Sequence, residues 1–307
     1  MKIISLFLTC LFLSLSSRAS LMFVPTKMNP KTVKVLVVLH GCLESGETIA
    51  LGAGWDQIAE DNNMVVIYPQ VPEGSNLLGC WNWYMPANQT ATSGQLRLVM
   101  DQIESTIKLL GLSQPDLYVT GISAGATTAA GLMACFPRAF KAGALHSGPS
   151  YGLAKTLAQA EKILREGPPS DSLVNDCRPQ DFAGSLIVIQ GTADAVVNPS
   201  HALRAIQDFM GVTNPDQSKD LTDGDLNYRV SDFKASGNRR ARLVSIEGLP
   251  HAWSGFVANL KYSALVGPHG KYPTTVPFFS DKGPSATNLI WSFFTEVSEK
   301  SKSSQRP

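Results

Sequence analysis

Leu117-Tyr-Val-Thr-Gly-Ile-Ser-Ala-Gly-Ala-Thr127 is the stretch from which the fold of this chain can be read. Its first half is β-branched and aromatic, the composition of a strand. Gly121-Ile-Ser-Ala-Gly125 then breaks the run, and a segment rich in Ala, Met and Leu follows as a helix would. Strand, tight turn and helix around G-x-S-x-G make a nucleophile elbow, in which a serine hydroxyl stands exposed on a strained turn. The glycines suit positions where strand and helix backbones come too close for a side chain. The pattern alone also fits an ordinary glycine-rich turn; the strand before it and the helix after it favour the elbow, with Ser123 as the nucleophile.

Working outward, the same alternation continues. Lys34 to Leu39 is apolar on both faces, like a strand covered on each side by helices, and ends in His40-Gly41-Cys42. Trp55 to Asn62 has helical spacing and Met64 to Tyr68 reads as the next buried strand, so the two strands pair in parallel. Leu96 to Leu110 is an amphipathic helix stopped by Gly111. Short strands are expected at Ala142 to His146, Ser185 to Gln190 and Arg242 to Ile246, the last beside Tyr228 to Lys234 as a hairpin or adjacent pair. Helices are expected at Leu153 to Arg165, at Ser200 to Met210 with Ser200 as its cap, and at Ser285 to Val297. Glu166 to Pro179 and Tyr262 to Lys282 are loop-rich, and polar Asn214 to Asp225 is expected to be a mobile surface loop. With no composition break or internal repeat, the chain predicts one α/β domain with a mostly parallel sheet flanked by helices.

The 307 residues are 44% hydrophobic and 17% charged, enough to bury a full core. A net charge of +1 gives no electrostatic argument for nucleic acid or an anionic membrane as a partner. Met1 to Ser20 has Lys2, an apolar run to Leu15 and a small-residue end, the pattern of a secretory signal. That run is short of the ~20 residues a membrane anchor needs, and a lipoprotein cut at Cys10 would leave too little of it. The expected organisation is a leader over 1–20, a catalytic domain over 21–298 and a polar tail over 299–307. The product should be exported, extracellular or periplasmic, with no membrane attachment in its mature form; oligomeric state stays open. Of five cysteines Cys10 leaves with the leader, and Cys42, Cys80, Cys135 and Cys177 remain as two disulfides of three possible connectivities, or as buried thiols. No CxxC spacing points to a metal, and no cofactor is implied. Asn88-Gln-Thr90 fits a glycosylation acceptor.

In a parallel sheet of this kind, ligands bind at the carboxyl ends of the strands. Ser123, Asp194 and His251 each follow an expected strand, in the order nucleophile, acid, base. Serine needs a base to take its proton, and the base needs a carboxylate to fix its tautomer. His40, His146, His201 and His269 sit in a strand end, a strand, a helix and a late loop, which leaves His251 as the base. Asp194 is preferred over Asp181 and over Asp220, Asp223 and Asp225, which read as solvated loop. The oxyanion needs two backbone donors, for which Ala124 N–H and Cys42 N–H are the candidates, with Gly41 allowing close approach.

With those residues in view, the chain resembles the polyhydroxybutyrate depolymerase-like esterase family, α/β-hydrolases that include feruloyl and acetylxylan esterases. The resemblance rests on Leu39-His-Gly-Cys42, Trp55-Asp56, Val66-Ile-Tyr-Pro69, Cys80-Trp-Asn-Trp83, Gly121-Ile-Ser-Ala-Gly-Ala126, His146-Ser-Gly148, Gly191-Thr-Ala-Asp194, Val196-Val-Asn-Pro199 and Pro250-His-Ala-Trp-Ser-Gly255, across about residues 30 to 298. It implies Ser123, Asp194 and His251 as catalytic residues and Cys42 and Ala124 as oxyanion donors. It also implies a Cys42 to Cys80 disulfide, leaving Cys135 with Cys177. Trp81, Trp83 and Trp253 are expected to line the substrate groove, against core or loop packing as the alternative. Phe256 departs from the second glycine that relatives often carry there. No linker and polymer-binding domain follows residue 298, so oligomers or amorphous polymer are the expected polyester substrates.

The resemblance therefore implies a secreted serine esterase acting on hydroxyalkanoate esters through an acyl-enzyme. Its competitors are removal of feruloyl or acetyl groups from plant polysaccharide, a prolyl-type peptidase, which lacks the gating domain it would need, and a non-catalytic binding protein on a hydrolase scaffold, which the intact Ser, Asp and His set disfavours.

Overall fold

The computed structural model describes residues 20–170, 176–255 and 278–303. All but the last residue of the expected leader, Phe256, His269 and most of the Tyr262 to Lys282 loop lie outside the described residues.

Nine strands form one sheet among the described residues: Leu21–Phe23 (β1), Lys34–Leu39 (β2), Met64–Tyr68 (β3), Asp116–Ile122 (β4), Phe140–His146 (β5), Ser185–Gly191 (β6), Gln217–Asp223 (β7), Leu226–Lys234 (β8) and Arg240–Ile246 (β9). Their spatial order is β1-β3-β2-β4-β5-β6-β9-β8-β7. The block from β3 to β9 in that order is parallel, while β1, β8 and β7 add antiparallel edges. Parallel pairing follows from the helices that cross between strands: Gly46–Ala53 (α1), Trp55–Asp61 (α2), Gly94–Leu109 (α3), Ala124–Cys135 (α4), Leu157–Glu166 (α5), Ser200–Met210 (α6) and Ala286–Ser303 (α7).

The period-two alternation of β2 divides the core. Val35, Val37 and Leu39 face one apolar cluster, with Val99 and Ile103 of α3, α4, Ile163 of α5 and Phe209 of α6. Leu36 and Val38 face the other, with Ile49, Trp55, Ile290, Phe293 and Phe294 of α1, α2 and α7. Both faces being covered is why β2, β3 and β6 read as unbroken apolar runs.

Several local expectations need correction. Gln217–Asp223 is an edge strand paired along its length with β8, not a mobile loop. Leu221 alone of its residues is half-buried, against the second cluster, so no apolar alternation betrays it, and its charges are those of a protected edge. Pro199, not Ser200, precedes the first turn of α6, and the Ser200 hydroxyl donates to Asn198 Oδ1. The α1 helix is not among the expected elements, although Ser45 and Thr48 close a capping box at its start. Asn88 is buried, its Nδ2 donating to Asn82 O and its Oδ1 accepting from Gln95 N, which removes it as a glycan acceptor. The last helix continues to Ser303, past residue 298.

The registers align the strand ends. Leu39 pairs with Gly121, Ile122 with His146 and Gly191 with Ile246. The loops carrying Cys42, Ser123, Asp194 and His251 therefore leave the sheet at one edge.

Candidate active site

Ser123 sits at the turn between β4 and α4 with φ 55° and ψ −123°, a conformation that costs a non-glycine residue about 1–3 kcal/mol. The surroundings hold it there: Ser123 N–H donates to His146 O at 2.9 Å, and Thr127 N–H donates to Ser123 O at 3.2 Å. Gly121 and Gly125 make the turn possible. A Cβ on Gly121 would stand 2.6 Å from the Gly125 carbonyl carbon, and one on Gly125 would run into the carbonyls of Leu39 and His40. Ser123 itself is half-buried.

Asp194 and His251 meet at this edge, with His251 Nδ1 donating to Asp194 Oδ2 at 2.8 Å. Gln190 Nε2 donates to the same oxygen at 3.0 Å, and the N–H groups of Val196 and Val197 donate to Oδ1 at 2.9 and 2.8 Å. Burial of Asp194 raises its pKa, but the bonds from His251, Val197 and Val196 outweigh it and hold the carboxyl below its ordinary value. With Nδ1 donating, Nε2 is the nitrogen of His251 left to accept a proton. The ring rests edge-on against Phe278 at 5.9 Å. Among the described residues no hydrogen bond joins Ser123 Oγ to His251. His146 links the two halves: its carbonyl holds Ser123, and its ring feels the charges of His251 and Asp194. That ring is fully buried and stacked on Trp253 at 5.1 Å. Burial first, and then His251, lowers the His146 pKa to about 3 against the pull of Asp194, so the ring is neutral.

Ala124 opens α4, where backbone N–H groups have no partner within the helix. Among the described residues neither the Ala124 nor the Cys42 N–H has an acceptor. Gly41 brings the Cys42 loop against Ser123, since a Cβ there would stand 3.4 Å from Ser123 Cβ. Cys42 is bonded to Cys80, and Cys135 to Cys177, across 38 and 42 residues of sequence.

The tryptophans depart from the expected groove. Trp81 and Trp253 are 0% and 1% exposed and belong to the core. Trp81 packs on His40, and Trp253 Nε1 donates to Thr287 Oγ1 at 3.0 Å. Trp83 keeps 7% exposure. Apolar bulk in a glycine-rich loop reads equally as groove or as core, and here core packing wins.

Two residues of the site were not singled out from the sequence. Gln190 holds Asp194, and Glu44 Oε2 accepts the Gly41 N–H at 2.6 Å. Both act through contacts that sequence spacing does not encode, although Gln190 stands out as a polar residue directly after the apolar run Leu186 to Ile189. An open polar groove of about 730 Å³ lies at the β7–β8–β9 edge, lined among others by Thr192, Asp220, Tyr228, Arg229 and Glu247, and it contains none of Ser123, Asp194 and His251. No cluster of three His, Cys, Asp or Glu able to hold a metal occurs among the described residues.

Comparison with known proteins places this geometry in context. The family model described as esterase PHB depolymerase matches residues 18–216. Poly(3-hydroxyalkanoate) depolymerase C of Paucimonas lemoignei is 25% identical over 74% of this chain and 56% of its own length. Poly(3-hydroxybutyrate) depolymerase of Ralstonia pickettii is 26% identical over 82% of this chain and 54% of its own, so the chain spans about half the length of these relatives. Feruloyl esterase B of Neurospora crassa is 26% identical over 65% of this chain and 72% of its own. The solved acetyl xylan esterase from Aspergillus awamori superposes with a TM-score of 0.60 at 18% identity, covering 78% of this chain and 89% of that one. The fold is that of the α/β-hydrolases.

Proposed function

The chain belongs to the esterase PHB depolymerase family, and on that premise we propose that it is an exported serine esterase that cleaves hydroxyalkanoate polyester or its oligomers through an acyl-enzyme. The observation that carries the mechanism is the Asp194–His251 hydrogen bond of 2.8 Å, formed at the sheet edge from which the Ser123 elbow projects. Asp194 holds His251 in the tautomer whose Nε2 accepts the Ser123 proton as Oγ bonds to the ester carbonyl carbon. The carbonyl oxygen becomes an oxyanion facing Cys42 N–H and Ala124 N–H. On collapse the bond to the alcohol oxygen breaks, and that oxygen takes the proton from His251. Water then gives a proton to His251, attacks the acyl carbon and displaces Ser123 Oγ, which recovers its proton.

For the polyester, the support is the apolar surface of the loop that carries Cys42 and of the loop bonded to it. Leu43, Leu77 and Leu78 are 61%, 104% and 55% exposed on the two loops joined by the Cys42–Cys80 bond. Large exposed apolar groups on the loops beside the candidate oxyanion donor suit an apolar polymer better than a hydrated polysaccharide. The second reading, release of feruloyl or acetyl groups from polysaccharide, draws on the feruloyl and acetylxylan esterases among the relatives. Two disulfides and the leader-like start support export.

Side-by-side kcat/KM values on hydroxybutyrate oligomers, methyl ferulate and acetylated xylan test the substrate. The oligomers should lead by at least ~10-fold, the discrimination that a site matched to one substrate readily achieves. A lead for either of the others would replace the polyester reading.

A further inference from the structure

Gly41, beside the candidate oxyanion donor, is gripped from both sides. Its N–H donates to Glu44 Oε2 at 2.6 Å, and its carbonyl accepts from His40 Nδ1 at 2.7 Å. His40 Nε2 in turn accepts the Val71 N–H at 3.3 Å, which fixes the tautomer that donates through Nδ1. In a trans peptide the carbonyl and the following N–H point in opposite directions. Anchoring the Gly41 carbonyl therefore sets the direction of the Cys42 N–H, and anchoring the Gly41 N–H fixes the peptide before it. The space confirms how tight this layer is: a Cβ on Gly41 would stand 2.9 Å from Glu44 Oε2 on one side and 3.4 Å from Ser123 Cβ on the other.

Glu44 is a costly group to keep there. It is 7% exposed, and its Oε1 has no hydrogen-bond partner among the described residues. Packing alone would favour an apolar side chain of the same size. Burial pushes its pKa up to about 8, against the opposing pull of the Gly41 N–H. The side chain is thus a neutral acid at neutral pH, and no buried negative charge stands behind the place where the oxyanion forms. The outer side of the loop is tied separately, by Leu43 N–H donating to Leu78 O at 2.8 Å and by the Cys42–Cys80 bond.

We propose that Glu44 is a positioning residue for the oxyanion hole: by accepting the Gly41 N–H, it holds the His40-Gly41-Cys42 turn in the shape that presents the Cys42 N–H to the reacting carbonyl. The proposal rests on the assignment of Ser123 as nucleophile and of Cys42 as donor.

The test compares Glu44→Met, which keeps the bulk and removes the acceptor, with Glu44→Gln, which keeps an acceptor carbonyl. With a soluble nitrophenyl ester, Glu44→Met should lower kcat by about 10- to 100-fold with KM within about twofold, the pattern of an interaction made in the transition state. Glu44→Gln should recover most of that loss, and both variants should melt as cooperatively as the parent. The Gly41 amide proton, followed by NMR, should be shifted downfield and slow to exchange in the parent and in Glu44→Gln, and should lose both properties in Glu44→Met. Parental kcat in Glu44→Met, an equal loss in both variants, or unfolding of Glu44→Met alone would each overturn the positioning role. If the parent hydrolyses no ester, it is the Ser123 assignment that fails. The Gly41 amide then still decides, and an ordinary shift with fast exchange in the parent would overturn the proposal.

Discussion

Asp194 concentrates four donors on one carboxyl: His251 Nδ1, Gln190 Nε2 and the N–H groups of Val196 and Val197. In the proposed mechanism it holds one tautomer of His251, so Asp194→Asn should leave binding nearly intact and cut kcat by up to ~10⁴, as loss of the orienting carboxylate does in such triads. A loss confined to KM would contradict that role. Because the bonds to Asp194 outweigh its burial and depress its pKa, its ionised form stabilises the fold above the carboxylate's unfolded value, and the contribution is lost as pH falls through the lower folded one. Asp194 and His251 could be found from sequence because each follows a strand whose apolar run is legible. Glu44 could not, because a buried acid beside a glycine turn shows its purpose only once the Gly41 N–H is seen to point at it. Trp81 and Trp253 show the opposite error, in which a conspicuous residue type suggested a binding wall and the indoles went into the core.

At the level of the element, the elbow depends on how closely α4 approaches β2. The contact at Gly125 is with backbone carbonyls of Leu39 and His40, which cannot turn aside as a side chain would. Gly125→Ala should therefore cost at least the ~1–3 kcal/mol of an overpacked core, lower the melting temperature and reduce kcat through displacement of Ser123. A variant that melts and turns over like the parent would show that the approach is looser than this. The two disulfides separate stability from catalysis. Removing either pair by Cys→Ser substitution should cost ~2–4 kcal/mol. Only loss of Cys42–Cys80 should also reduce kcat, because that bond ties down the loop carrying the Cys42 N–H; equal kinetic effects from both would argue against the oxyanion assignment. The central strands were legible because they are apolar on both faces. The edge strand β7 was not, since a single half-buried residue, Leu221, makes no pattern, and the strand is held by its ladder with β8 and by the Arg229–Asp220 ion pair.

Across the whole molecule, burial makes the stability of the fold depend on pH. Burial lowers the pKa of His40, His146 and His201 from their ordinary 6.5, for His146 to about 3. As pH falls below 6.5, the unfolded chain takes up protons that the folded chain refuses, and stability is lost. Burial raises Glu44 to about 8 and Asp56 to about 6. These acids hold protons that the unfolded chain releases, so stability is also lost as pH rises from their ordinary values to the folded ones. Below pH 6.5 the three lowered histidines act against the raised acids, to which burial adds Asp208 against the pull of Arg204; above about pH 7, where histidines are neutral in both states, Glu44 is the one of these groups that still acts. Each group changes stability by up to ~1.4 kcal/mol per pH unit, so the melting temperature should fall from about pH 7 to 8 as the unfolded chain releases the proton that folded Glu44 keeps. Calorimetry showing a rise from about pH 7 to 8 would contradict this balance. The α/β architecture was legible from β2 to β6 because strands and helices alternate there, and strand ends converge wherever such a sheet is parallel. The central claim is that Ser123 is the nucleophile of an acyl transfer, and the most direct measurement is mass spectrometry of the chain after reaction with a fluorophosphonate. One adduct per chain should form, on the peptide containing Ser123, and Ser123→Ala should show neither adduct nor ester hydrolysis while keeping its fold. An adduct on another residue, or hydrolysis that survives in Ser123→Ala, would contradict the account.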